Sequence, residues 1–159
     1  MEFIMYIAIF SLLSMGIVSS LVVSMKLYTV AQANHTLQSN GELALERMIR
    51  EIRSLDAITV GSSTFGSHPG ILALSGEDTS GNPRTVSFSV SNGSLVMYEN
   101  GVLVGSLTGP NVVVTNLVFN RITTGVGEAV KLELSLRTNR AFVSSTSFNS
   151  TIILRGAYE

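Results

Sequence analysis

Between Glu2 and Lys26 the chain carries no charge: FIMYIAIFSLLSMGIVSSLVVSM, 23 residues. A membrane-spanning helix needs about 20 apolar residues, and a backbone in lipid must satisfy its own hydrogen bonds, so this run predicts a transmembrane helix. Gly16 and the pair Ser19 and Ser20 are its weakest helix formers. Small residues there let a helix bend, or let a neighbouring helix approach closely. A cleaved secretory signal is the competing reading and fits poorly. The run exceeds the roughly 7–15 residues of a signal core, no basic segment precedes it, and no small-residue cleavage site ends it.

From Lys26 to Ile58 the pattern turns amphipathic. Leu45, Met48, Ile49, Ile52 and Leu55 recur at spacings of three and four, and Leu37 and Ala44 extend the stripe backward. That is one helix face, predicted to cover a sheet. Glu46 with Arg50, and Arg47 with Glu51, are opposite charges four apart on the exposed surface. Arg47, Arg50 and Arg53 read as a solvated face. No proline occurs before Pro69, so a single helix is expected over residues 3 to about 56, with Asn40-Gly41 as a place for a short break.

The texture then changes. Gly, Ser and Thr cluster from Gly61 to Gly70 and predict a loop. Strands are expected at Ile71–Leu74, Arg84–Ser91, Ser94–Glu99, Val102–Leu107, Val112–Asn120, Val130–Arg137 and Thr151–Arg155. Asn92-Gly93 and Asn100-Gly101 are two-residue hairpin turns, which need positive φ at both positions. Val130, Leu132, Leu134 and Leu136 alternate with Lys131, Glu133, Ser135 and Arg137, the mark of a sheet with one buried face. Thr138–Ser150, rich in Ser and Asn, is expected to be a long surface loop. The fold class is therefore α+β, a long N-terminal helix on a C-terminal antiparallel sheet. Residues 1–26 form the transmembrane half of the helix, 27–58 its amphipathic half, and 59–159 the β domain.

Composition limits the chemistry. The 159 residues have a net charge of −1 and no cysteine, so neither a nucleic-acid partner nor thiol chemistry is indicated. Charged residues are only 13% of the chain, half the usual share, and the apolar run accounts for much of the deficit. His35 and His68 have no second ligand at metal spacing and read as exposed or loop histidines. Glu77 and Asp78, before Gly81-Asn82-Pro83, lack the further oxygen ligands of a calcium loop and read as a solvated turn. No Gly-x-Ser-x-Gly elbow and no phosphate-cradling glycine loop occur. No enzyme, metal or cofactor is expected.

Glu2 stands apart, because a carboxylate at the mouth of an apolar run is costly if inserted unpaired. The segment Glu2-Phe3-Ile4-Met5-Tyr6-Ile7-Ala8-Ile9-Phe10-Ser11-Leu12-Leu13 resembles the start of type IV pilins and type II secretion pseudopilins. Leu43–Ile58, with Arg47-x-x-Arg50-x-Ile52-Arg53, is similar to the helix of minor pseudopilins of the J class, as is the closing stretch Ser150–Gly156. The likeness is closest over residues 2–13 and faint in the sheet. It implies a long helix followed by an antiparallel sheet, and a filament subunit rather than a catalyst. Glu2 would pair with the N-terminal amine of a neighbouring subunit. A J-like member would be a low-copy tip initiator; a major pilin forming the shaft is the alternative within the family.

Family members begin with a short basic leader ending in Gly. Here only Met1 precedes Glu2, and the expectation is that the given chain starts at an internal methionine. As given, Lys26 would weakly place the wrong end in the cytoplasm, and basic leader residues would reverse that. The implied location is the inner (cytoplasmic) membrane, single-pass, with the C-terminal domain outside and assembled into an extracytoplasmic filament. The implied partners are other pilin or pseudopilin subunits, the membrane, and a prepilin peptidase and assembly platform where the leader exists. A different class stays open: a single-pass anchor presenting a β-rich binding domain, with no filament.

Overall fold

A computed structural model describes residues 2–124, 127–139 and 144–154. Helix α1 runs unbroken from Glu2 to Ser54, 53 residues, as the proline-free stretch allows. Eight strands follow: β1 (Ala57–Ile58), β2 (Leu72–Glu77), β3 (Pro83–Ser91), β4 (Ser94–Glu99), β5 (Val102–Ser106), β6 (Val112–Thr124), β7 (Gly127–Thr138) and β8 (Ser145–Ile153). The fold is α+β, one long helix packed on antiparallel sheet.

The sheet is not one but two. Strands β1-β2-β3-β4-β5 form a five-stranded meander and β6-β7-β8 a three-stranded one. The two hairpin dipeptides do what their residue types predict, with positive φ at Asn92, Gly93, Asn100 and Gly101. The sheets part between β5 and β6, where Pro110 has no amide to donate to a ladder. Thr108 is buried there and its hydroxyl accepts the Leu95 amide at 3.1 Å, while the Gly109 amide donates to the Asn40 side chain at 2.8 Å. These bonds pin the crossing segment between helix and sheet. The sheets still touch where the Val114 amide donates to the Gly93 carbonyl at 2.8 Å.

Thr138–Ser150 is not the long surface loop that its composition predicts. Ser145–Ser150 are not loop but the first two-thirds of β8, paired with β7 from Arg137↔Ser145 to Ala129↔Ile153. Serine and asparagine density suggested a loop, yet the segment alternates. Ser145, Ser147 and Asn149 face solvent, while Thr146, Phe148 and Ser150 turn toward the helix. Residues 140–143 and Arg155 of the expected final strand lie outside the described residues.

The core lies between the α1 stripe and both sheets. It gathers Leu37, Ala44, Met48 and Ile52 from the helix, Leu55 just past its end, Leu72, Leu74, Val86, Phe88, Leu95 and Met97 from the first sheet, and Leu117, Phe119, Leu132, Leu134 and Ile152 from the second. Asn40-Gly41 produces no break. A Cβ at residue 41 would lie 2.1 Å from the Phe148 ring, so glycine is what lets β8 close onto the helix. Its helix penalty of about 1 kcal/mol is offset by that contact.

Candidate functional site

Two regions of α1 can carry function, and they differ in what surrounds them. From Glu2 to Gln32 no residue is buried, and Phe3, Ile4, Tyr6, Phe10 and Leu12 are all more than two-thirds exposed. A helix apolar on every side cannot be matched to water and needs an apolar environment or other helices around it. This one is long and apolar enough to cross a membrane. Glu2 sits in its first turn, where the free amide groups favour a carboxylate. Gly16 and Ser20 leave a shallow groove flanked by Leu12, Leu13, Ile17 and Leu21.

Burial begins at Ala33, eight residues beyond Met25. Of the predicted packing stripe, Met48, Ile52 and Leu55 are completely buried, and Leu45 and Ile49 are half-buried against the same core. The expected pairs Glu46–Arg50 (2.8 Å) and Arg47–Glu51 (2.9 Å) are both formed. One of them is not the surface pair expected, because Glu51 is only 4% exposed.

Its carboxylate is held from both sides. Arg47 reaches one oxygen, and Arg84 on β3 reaches the other at 2.9 Å. Arg84 continues through its Nε to Glu99 at the end of β4, at 2.5 Å. A buried carboxylate is tolerable only when paired and hydrogen-bonded in this way. The charged hydrogen bond to Glu99 raises the Arg84 pKa, and the Glu51 charge adds to it. The same bond holds the Glu99 carboxyl below the ordinary glutamate range. Four charged groups thus lock the C-terminal end of α1 to the first sheet. No local signal in the sequence indicated this, since Arg84 and Glu51 are joined only by the fold.

The remaining candidates are structural. His35 is exposed on α1. His68 is exposed too, but its Nδ1 accepts the Leu117 amide at 2.9 Å and helps seat its loop on β6. Asp78 caps its own turn by accepting the Ser80 and Asn82 amides at 2.7 and 2.9 Å, which lowers its pKa. Among the described residues no three His, Cys, Asp or Glu side chains gather as metal ligands. An open cleft between Arg53, Ser54, Glu77, Asp78, Thr79 and Arg84 has mixed charge, and the Arg84 guanidinium in it is already held by Glu51 and Glu99.

Compared with known proteins, the chain matches no family model, no curated protein and no solved structure.

Proposed function

We propose that this chain is a structural subunit of a pilus-type filament, a minor pilin or pseudopilin of the type IV pilus or type II secretion class, and not an enzyme. One observation carries the reading: a single continuous helix whose first half is bare and apolar on all sides and whose second half is clamped to a β domain. Such a helix suits storage in a bilayer and later packing beside its copies or siblings in a filament core, with the β domain outside. Glu2 begins the bare half. A carboxylate taken into an apolar helix bundle needs a positive partner, and the N-terminal amine of an adjacent subunit is the group that the pilin resemblance supplies.

Glu2→Ala tests this. The chain is expressed behind a prepilin leader together with sibling subunits, and wild type and variant are compared by crosslinking and by yield of sheared filaments. The variant is expected to insert into the membrane normally, with its β domain melting unchanged, and to lose filament incorporation. If it assembles like wild type, Glu2 is an ordinary interface residue, and the reading of a single-pass anchor presenting a binding domain takes the lead.

A further inference from the structure

Asn-Gly occurs three times in the chain, at Asn40, Asn92 and Asn100. Asparagine followed by glycine is prone to lose its side-chain amide, because glycine has no Cβ to keep its own amide nitrogen away from the asparagine carboxamide. The fold puts the three copies in different surroundings. Asn40 lies inside α1, so the Gly41 amide belongs to the helix ladder. Its side chain is held at both ends: Nδ2 donates to the Thr36 carbonyl and Oδ1 accepts the Gly109 amide, each at 2.8 Å. Asn100 turns the β4-β5 hairpin. Its Oδ1 accepts the Thr85 amide at 2.8 Å and the Thr85 hydroxyl at 3.3 Å, and its own amide donates to the Thr85 carbonyl at 2.8 Å.

Asn92 turns the β3-β4 hairpin with the same left-handed backbone, φ being 50° at both turn asparagines. It is exposed, and among the described residues neither its carboxamide nor the Gly93 amide makes a hydrogen bond. Only the Gly93 carbonyl is engaged, by the Val114 amide. In either hairpin the asparagine must rotate before its carboxamide meets the next nitrogen. At Asn100 that rotation breaks the side-chain bonds to Thr85, whereas at Asn92 no side-chain bond resists it.

We propose that Asn92 is a covalent modification site, the Asn-Gly that the fold leaves open to deamidation by water. The Gly93 amide nitrogen attacks Cγ of Asn92, and the Cγ–Nδ2 bond breaks. The proton lost from the Gly93 nitrogen leaves with Nδ2 as ammonia, and a succinimide ring is closed. Water then adds to one ring carbonyl and breaks its bond to nitrogen, leaving aspartate or isoaspartate. Nothing is oxidised or reduced, and water is the sole co-reactant. Isoaspartate carries the main chain through its side-chain carbon and so lengthens a turn built for two residues. The turn that changes is the one whose Gly93 carbonyl meets Val114 of the other sheet. The inference is independent of the filament reading, since it uses neither Glu2 nor the bare helix.

The three dipeptides serve as controls for one another. The full chain in detergent is incubated at mildly alkaline pH in heavy-oxygen water, once folded and once in denaturant. It is then digested in ordinary water, and fragmentation mass spectrometry locates each asparagine that has taken up the label in its side chain or in the isoaspartyl link. In the folded chain Asn92 is expected to react at least roughly tenfold faster than Asn40 and Asn100, the factor that about 1.4 kcal/mol produces. In denaturant the three are expected to react at similar rates, because the bonds that hold Asn40 and Asn100 are gone. Equal rates at Asn92 and Asn100 in the folded chain overturn the proposal. So does a folded chain in which Asn92 stays intact while denatured chains react, because the hairpin itself would then be what protects it. A preference for Asn92 that persists in denaturant overturns it too, since the fold would not be its cause.

Discussion

Gly41 shows how a residue poor for its own element can be right for the molecule. In an isolated helix alanine is better there by about 1 kcal/mol. In the protein the added Cβ would lie 2.1 Å from the Phe148 ring, and forced overpacking costs about 1–3 kcal/mol. Gly41→Ala is therefore expected to destabilise the wild type, yet to stabilise a Phe148→Ala background, where only the propensity gain is left. Thermal unfolding of the four proteins in this cycle measures the coupling, and additive effects would show that the contact is not tight.

Glu99 makes the second residue-scale prediction. Its carboxyl binds a proton less readily in the folded chain than in the unfolded one because Arg84 holds the charged form. The unfolded state thus takes up protons first as pH falls. The pair's contribution is complete above the ordinary glutamate range and is lost as pH drops from about 4 through the lowered folded value. Asp78, lowered by the amides of its turn, acts in the same direction. Melting temperature is expected to fall on the acid side, and Glu99→Gln is expected to flatten that slope. Identical slopes in the two proteins would mean that the pair adds nothing.

At the scale of elements, what was legible in the sequence was whatever has a local period or a local turn. Three- and four-residue spacing located the buried face of α1, and two Asn-Gly dipeptides located the β3-β4 and β4-β5 hairpins. What composition suggested about β8 misled, because serine and threonine serve a half-exposed strand as well as a loop, and the partner deciding between them, β7, is set by tertiary pairing. The division into two sheets was not legible either. It depends on Thr108, Gly109 and Asn40 meeting across the fold. Nor was the Glu51–Arg84–Glu99 chain, whose members are far apart in sequence. The helix stripe itself can be tested. Ile52 is completely buried, so Ile52→Asp sets an unpaired charge in the core and should cost roughly 4 kcal/mol. A loss within about 0.5 kcal/mol, the range of surface changes, would contradict the burial.

At the scale of the whole molecule, the two halves of α1 depend on each other very little for stability. No described residue before Ala33 is buried, so removing the residues before Lys26 takes away apolar surface without opening the core. A fragment beginning at Lys26 is expected to be monodisperse in water and to unfold cooperatively, as followed by size exclusion and circular dichroism. Aggregation or a broad, featureless melt would show that the bare half supports the domain after all.

Mechanically the halves are one piece. The helix passes from Met25 to Ala33 with no proline, no turn and no change of backbone geometry, and those eight steps rise only about 12 Å. There is no slack in such a stem. Advancing the bare end by one residue's rise lifts both sheets by the same about 1.5 Å, and turning it about its axis swings the β domain through the same angle. A push or twist applied at the apolar end would therefore set both the height and the heading of the domain above it.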